Sequence, residues 1–383
     1  MRRLYFDHNA TCPLRANARA ALREAEELPL GNPSSAHAEG RRARRLLEEA
    51  RERLAAVAGC ARDEVVFTSG GTESNALALR AAGDGLVLHA PIEHPSVLRP
   101  LAARGGACAL PVDGWGRVDP GAIARAAGGG RPALVSVALA NHETGVLQDG
   151  AALARAAHAA GARVHCDAVQ AVGKRTVDVG ALEVDLLSLA GHKFHGPLGA
   201  GALYVRRRTR LLPQVHGGHQ ERSRRAGTEN LAAVVGLGAA AARAATRLDA
   251  HRANDGSALG DRLLEGLLAR VPGTRLNGSR DRRLRAIVNL CFTGVDGEAM
   301  LHELDLEGVT VSTGSACSAA SPGPSHVLLA MGLSPEDAHA SVRFSLGEDN
   351  THADIDRILE ITPPIAARLR ALAGVTSGLR TSA

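Results

Sequence analysis

The chain has 383 residues, 45% of them hydrophobic and 22% charged, which excludes wholesale disorder and any small scaffold stapled by disulfides or metal. The formal net charge of +5 would admit an acidic partner. However, the densest basic run, Arg41 to Arg45, continues into Glu48, Glu49, Arg51 and Glu52 at helical spacing, the pattern of a solvated salt-bridged face rather than a nucleic-acid surface.

From about Asp63, short β-rich runs alternate with helical patterns. Val65 to Thr68 precedes a helix over 73–82, Leu86 to His89 precedes one near 95–104, and Ala133 to Leu139 precedes one over 151–160. Strands over 163–166 and 186–189 follow. This is the rhythm of an α/β fold with a mostly parallel sheet, whose ligands collect beyond the carboxyl ends of the strands. After a long alanine-rich helix near 231–248 and another over 259–270 comes a second α/β stretch. Its predicted strands are 286–291, 309–312 and 341–346, its helices 297–306 and 352–372, with a Gly/Ser/Ala/Pro loop over 313–324. The reading is a large domain over 13–255 and a smaller one made of 1–12 and 256–383.

The N-terminus, Met1-Arg-Arg-Leu-Tyr-Phe-Asp-His8, lacks the apolar stretch of a secretory signal. The longest uncharged apolar-and-glycine run, Leu231 to Ala242, is too short to span a bilayer. A cytoplasmic protein with no membrane partner is expected. The six cysteines are scattered without a CxxC pair, so neither a zinc ribbon nor a thioredoxin motif is written here.

Only two of the 45 basic residues, Lys174 and Lys193, are lysine. Where charge suffices arginine serves, but a guanidinium cannot lose its proton and attack a carbonyl. Lys193, in Ala190-Gly-His-Lys-Phe-His-Gly-Pro197, directly follows a hydrophobic strand and suits an imine-forming amine. Lys174 stands beside Arg175 and reads as a plain surface cation. Upstream, Phe67-Thr-Ser-Gly-Gly-Thr-Glu-Ser-Asn75 is strand, glycine turn and helix start. It is a candidate phosphate cup with Ser69 and Thr72 as hydroxyl donors, although a capped helix after a turn has the same sequence.

Asp167, at another strand end with Gln170 three residues on, suits a carboxylate that keeps a ring nitrogen protonated, or equally an N-cap. His94, after a further strand end, suits ring stacking or proton shuttling, or a structural role. Cys317, in Ser312-Thr-Gly-Ser-Ala-Cys-Ser-Ala-Ala-Ser-Pro-Gly-Pro324, lies where nothing bulky buries it, as an accessible nucleophile requires.

Taken together, these segments resemble the cysteine desulfurases of the NifS/IscS type, within the class V aminotransferases of fold-type I. The resemblance runs through Tyr5-Phe-Asp-His-Asn-Ala-Thr11, Gly31-Asn-Pro-Ser-Ser35, Phe67 to Ser74, Glu93-His94, Asp167-Ala-Val-Gln170, Gly191-His-Lys193, Gly217 to Arg222, Arg225-Ala-Gly-Thr228, Gly314-Ser-Ala-Cys317 and Ser341 to Leu346. It implies a large domain with a seven-stranded-type sheet, pyridoxal 5′-phosphate (PLP) held as an imine by Lys193, Asp167 on the ring nitrogen and His94 stacked on the ring. It further implies Gln170 at the ring hydroxyl, Gly71, Thr72 and His192 at the phosphate, and Thr228 reaching the neighbouring subunit of a homodimer. Arg343 would hold the carboxylate of L-cysteine and Cys317 would take its sulfur as a persulfide, for an iron–sulfur scaffold or another acceptor protein.

Two positions depart from the family's pattern. His142 stands where an asparagine that orients cofactor or substrate is common, and Ala190 where many relatives carry a serine that donates to the phosphate.

Overall fold

The computed structural model describes residues 2–29, 31–249, 256–313 and 323–374. Its largest sheet has seven strands in the order Val65–Thr68, Gly201–Val205, Leu186–Ala190, Arg163–Asp167, Leu134–Ala138, Val87–His89, Ala107–Ala109. All neighbours run parallel except Gly201–Val205, which is antiparallel to both of its own. Three of the inner strands, Leu134–Ala138, Leu186–Ala190 and Gly201–Val205, are buried along their whole length, which is why they read as apolar runs instead of alternating ones.

Helices Ala16–Glu27 and Ala38–Ala58 pack against Leu231–Asp249 on this unit. Within the last of these, the uncharged run Leu231 to Ala242 is too short for a bilayer. As a helix its 231–248 window has mean hydropathy 1.3, enough in length and composition, but 56% of that window is buried inside the protein. Its apolar surface is used against the two neighbouring helices.

A second core is built on an antiparallel sheet ordered Ser312–Thr313, Ser341–Ser345, Ile287–Phe292, Thr274–Leu276. Phe292 and Phe344 are buried in it together with Phe6, because Leu4–Tyr5 pairs in parallel with Val309–Thr310. The predicted strand 309–312 is therefore two strands. Val309–Thr310 serves the N-terminal strand, and Ser312–Thr313 crosses over to pair beside Arg343. The two cores are tied by Glu348, which meets Arg15 at 3.3 Å and forms ion pairs with Arg243 and Arg247. The carboxyl ends of the parallel strands open between the two cores.

Candidate active site

A cavity of about 290 Å³ lies at those strand ends. Of the residues singled out from sequence, Gly71, Thr72, His94, His142, Asp167, Gln170, His192, Lys193 and Arg343 all line it, with Ala190. Thr228 does not; it is exposed on the loop before helix Leu231–Asp249. Cys317 lies outside the described residues.

Lys193 follows strand Leu186–Ala190 in a single tight turn. Its Nζ donates to the backbone carbonyls of Asn9 and, at 2.8 Å, Ala10. Asp167 ends the adjacent strand. Its Oδ1 accepts from Val169 N at 2.9 Å and its Oδ2 from Asn75 Nδ2 at 2.7 Å, so both carboxylate oxygens are held in place. Asn75 sits one helical turn beyond Gly71 in helix Gly71–Leu79, which aims it inward beneath that helix's N-terminus.

At the phosphate-cup segment, Gly70 has φ +151° with ψ −173°, a backbone region that only glycine enters freely. A Cβ on Gly71 would lie 2.9 Å from Val169 Cγ2. The two glycines therefore leave the first amides of the helix unobstructed toward the cavity. His192, whose Nδ1 is 3.2 Å from Thr11 Oγ1, lines the same end, and burial pushes its pKa down to about 4. Ala190 has no donor to offer there.

His94 caps helix Pro95–Arg104: its Nδ1 accepts from Ser96 N at 3.1 Å and lies 2.7 Å from Ser96 Oγ. Burial, followed by the charge of Lys193, pushes it down to about 4. It is neutral at pH 7, and with Nδ1 accepting, the ring hydrogen is on Nε2. Its ring meets His142 edge-on with centroids 5.2 Å apart. Burial, with His94, His326, Arg343 and Lys193 adding, holds His142 well below the usual histidine range.

Arg343 donates to His142 O at 2.9 Å and to Asp7 Oδ1 at 2.6 Å, while its Nε is buried without a hydrogen-bond partner among the described residues. A buried guanidinium with an unused donor beside an open cavity is a ready carboxylate site.

A group carrying an aldehyde, a basic ring nitrogen and a phosphate fits these donors. The amine of Lys193 and the carboxylate of Asp167 stand beneath a helix N-terminus cleared by glycine, and the cavity has room for a ring. The residues present thus fit PLP, which Lys193, Asp167, Gln170, His94 and the Gly71–Thr72 amides would hold.

Residues 4–358 match the family described as Aminotransferase class-V. The cysteine desulfurase of Gluconacetobacter diazotrophicus is 42% identical over 389 residues, covering 99% of this chain and 97% of its own. The chain belongs to the cysteine desulfurases of the class-V aminotransferase family. The cysteine desulfurase NifS of Azotobacter vinelandii is also 42% identical, over 98% of this chain and 95% of its own. A solved NifS-like protein superposes with a TM-score of 0.89 at 31% identity, covering 96% of this chain and all of its own.

Three residues of this cysteine desulfurase carry site geometry that its sequence did not announce. Asn75 joins Asp167 to Ser96. Asn9 accepts from Lys193 and Gln170 through its carbonyl, and its Nδ2 donates to His142 O at 3.0 Å. Lys174, expected to be a plain surface cation, is a correction. Although the residue as a whole is half-buried, its ammonium is enclosed, donating to Gln170 Oε1 at 2.6 Å and Asn9 Oδ1 at 2.8 Å. The only local signal was its spacing, four residues beyond Gln170.

Proposed function

We propose that the protein acts as a cytoplasmic homodimeric, PLP-dependent L-cysteine desulfurase, passing sulfur to Cys317 as a persulfide and onward to an iron–sulfur scaffold or another acceptor protein. The observation that carries this reading is the convergence of Lys193, Asp167, His94 and Arg343 on one cavity.

Bound there, PLP supplies an electron sink conjugated with the substrate Cα. Lys193 would hold its aldehyde carbon, and the same amine, when free, would be placed to move the substrate Cα proton. Asp167 would keep the ring nitrogen charged. The amides of Gly71 and Thr72, with His192, would receive the phosphate, and Thr228 from the neighbouring subunit would complete that end. Arg343 fixes the substrate carboxylate. His94 would pack over the ring as a neutral imidazole, held uncharged by its burial, with Nε2–H available to the cavity as a hydrogen-bond donor.

The described ends of the loop that contains Cys317 both reach this site. Ser312 pairs with Arg343 in the sheet, and after the loop Ser325 donates to Glu143 while His326 Nε2 lies 2.9 Å from Glu93 O. Among the described thiols, burial pushes Cys60 up to about 12 and Cys291 up to about 11, and raises Cys12 and Cys166 as well. They are poorly suited to act as thiolates at neutral pH. The Cys317 thiolate attacks the substrate sulfur, an S–S bond forms as the Cβ–S bond breaks, and the electron pair left on carbon is protonated. Cysteine and a thiol become alanine and a persulfide, with no outside oxidant or reductant.

The test is to load the protein with PLP, add L-cysteine and measure alanine. Alanine is expected from the native chain and is lost in Cys317→Ser and Lys193→Ala. A PLP-loaded native protein that yields none overturns the reading.

A further inference from the structure

Lys174 stands apart from the chain's other cations: its site is written as lysine in a sequence that elsewhere, Lys193 excepted, uses arginine. The turn before it is built to deliver it. Gly173 has φ +77°, and a Cβ there would lie 2.5 Å from Phe194 Cβ. The ammonium then comes to rest against two amide side chains, Gln170 Oε1 at 2.6 Å and Asn9 Oδ1 at 2.8 Å.

An ammonium has only donors. Any amide that faces it must therefore present oxygen, and the amide nitrogen is forced to the other side. For Asn9 that sends Nδ2 to His142 O, the carbonyl that also receives Arg343 at 2.9 Å. For Gln170 it sends Nε2 to Asn9 O at 3.0 Å, the same carbonyl to which Lys193 donates. Gln170 lines the cavity, and its Nε2 carries a second hydrogen beyond the one given to Asn9.

We propose that Lys174 is a positioning residue: by fixing the amide orientations of Gln170 and Asn9 it makes Gln170 present an N–H donor to the cavity and locks the carbonyl against which Lys193 rests. This rests on the PLP reading above. A neutral replacement at 174 leaves the Gln170 amide free to turn, and a turned amide offers the ring oxygen of the cofactor a repelling lone pair instead of a hydrogen.

The ammonium keeps its orienting role at neutral pH. Burial, with Lys193 and Arg343 adding, pushes it down to about 8, while Cys12 acts in the opposite direction. His8 and His192 feel it in turn, each pushed down to about 4 mainly by its own burial.

The experiment uses PLP-loaded Lys174→Met, Lys174→Gln, Gln170→Ala and the Lys174→Met/Gln170→Ala double variant. The readout is the pH midpoint of the bound cofactor's visible absorbance, with the melting temperature of each protein as the check on folding. A Gln170 N–H holds negative charge on the ring oxygen, so its loss makes the Lys193 imine keep its proton to higher pH. Lys174→Met is expected to raise the midpoint by about half a pH unit or more. Lys174→Gln, which keeps a polar group in the same space but imposes no orientation, is expected to raise it too.

In the Gln170→Ala background at least half of the Lys174→Met shift is expected to vanish, since residues that act through one another are non-additive. An unchanged midpoint in both Lys174 variants overturns the proposal, as does a shift of full size in the absence of the Gln170 amide, which would make Lys174 a distant charge only. Failure of the parent reading looks different: the native protein itself then develops no visible band with PLP.

Discussion

Asn75 Nδ2 lies 2.7 Å from Asp167 Oδ2 and 2.9 Å from Ser96 Oγ, so one amide nitrogen commits both of its hydrogens to the site. Ser96 in turn meets His94 Nδ1 at 2.7 Å. A continuous line of hydrogen bonds therefore runs from the Asp167 carboxylate through Asn75 and Ser96 to the His94 ring. It fixes the His94 tautomer as well as the Asp167 rotamer, and every member except His94 is nearly or wholly buried.

Replacing Asn75 by alanine removes a donor to a buried carboxylate, a loss of about 1.5–3 kcal/mol. The expected result is roughly ten- to a hundredfold weaker retention of PLP, followed by its absorbance during dialysis, with alanine production falling in step. Native-like retention in Asn75→Ala would show that Asp167 is held adequately by Val169 N alone.

The cavity wall was legible because one rule of α/β sheets places several chemically distinct residues together. Lys193, Asp167 and His94 each follow the carboxyl end of a parallel strand, so a chain read one element at a time already brings them to one edge. The residues behind that wall follow no such rule. Asn9 leaves the N-terminal strand and meets Gln170 and Lys174 more than a hundred and fifty positions away. Lys174 was misjudged from its neighbour Arg175, because what buries its ammonium is tertiary contact with no trace in the local sequence. The split of 309–312 was hidden likewise: its residues are uniformly strand-forming, and only the separate partners Leu4–Tyr5 and Ser341–Ser345 divide them.

Arg51 and Glu221 supply a second test. They form a two-pronged ion pair at 2.7 and 2.8 Å, both side chains buried, and Glu221 also accepts from Phe67 N at 2.9 Å. The pair pins a turn in which Glu221, Arg222 and Ser223 all have φ between +47° and +61°, a strained conformation for residues with side chains. Arg51→Ala leaves a buried carboxylate unpaired and is expected to cost about 3–5 kcal/mol, measured by urea unfolding. Arg51→Met with Glu221→Met should recover at least half of that loss. A double variant no better than the single one would mean that the turn, rather than the stranded charge, sets the cost.

His142 is kept neutral by burial and by the surrounding His94, His326, Arg343 and Lys193. A ring that stays neutral throughout the working range contributes no titration to the rate. The pH profile of kcat/KM for alanine formation in His142→Asn should therefore keep the native shape from about pH 6 to 8, whatever its height. A displaced acidic limb would show that this imidazole does titrate.

Glu143 gives the clearest dependence of stability on pH. It is buried against Ser325, which donates to its Oε2, and burial pushes its carboxyl up to about 7, partly offset by Ser325 and Arg343. The folded state thus holds a proton that the unfolded chain releases near its ordinary value of 4.5. A raised carboxyl pKa favours the fold fully below about pH 4.5, and that advantage drains away as pH rises through about 7, amounting to about 3 kcal/mol when complete. Glu143→Gln keeps the shape and the hydrogen-bonding capacity without the ionisation. Its melting temperature relative to the native chain should rise between about pH 5 and pH 8. The same difference at both pH values would place the Glu143 titration outside that window and remove burial as its governing cause.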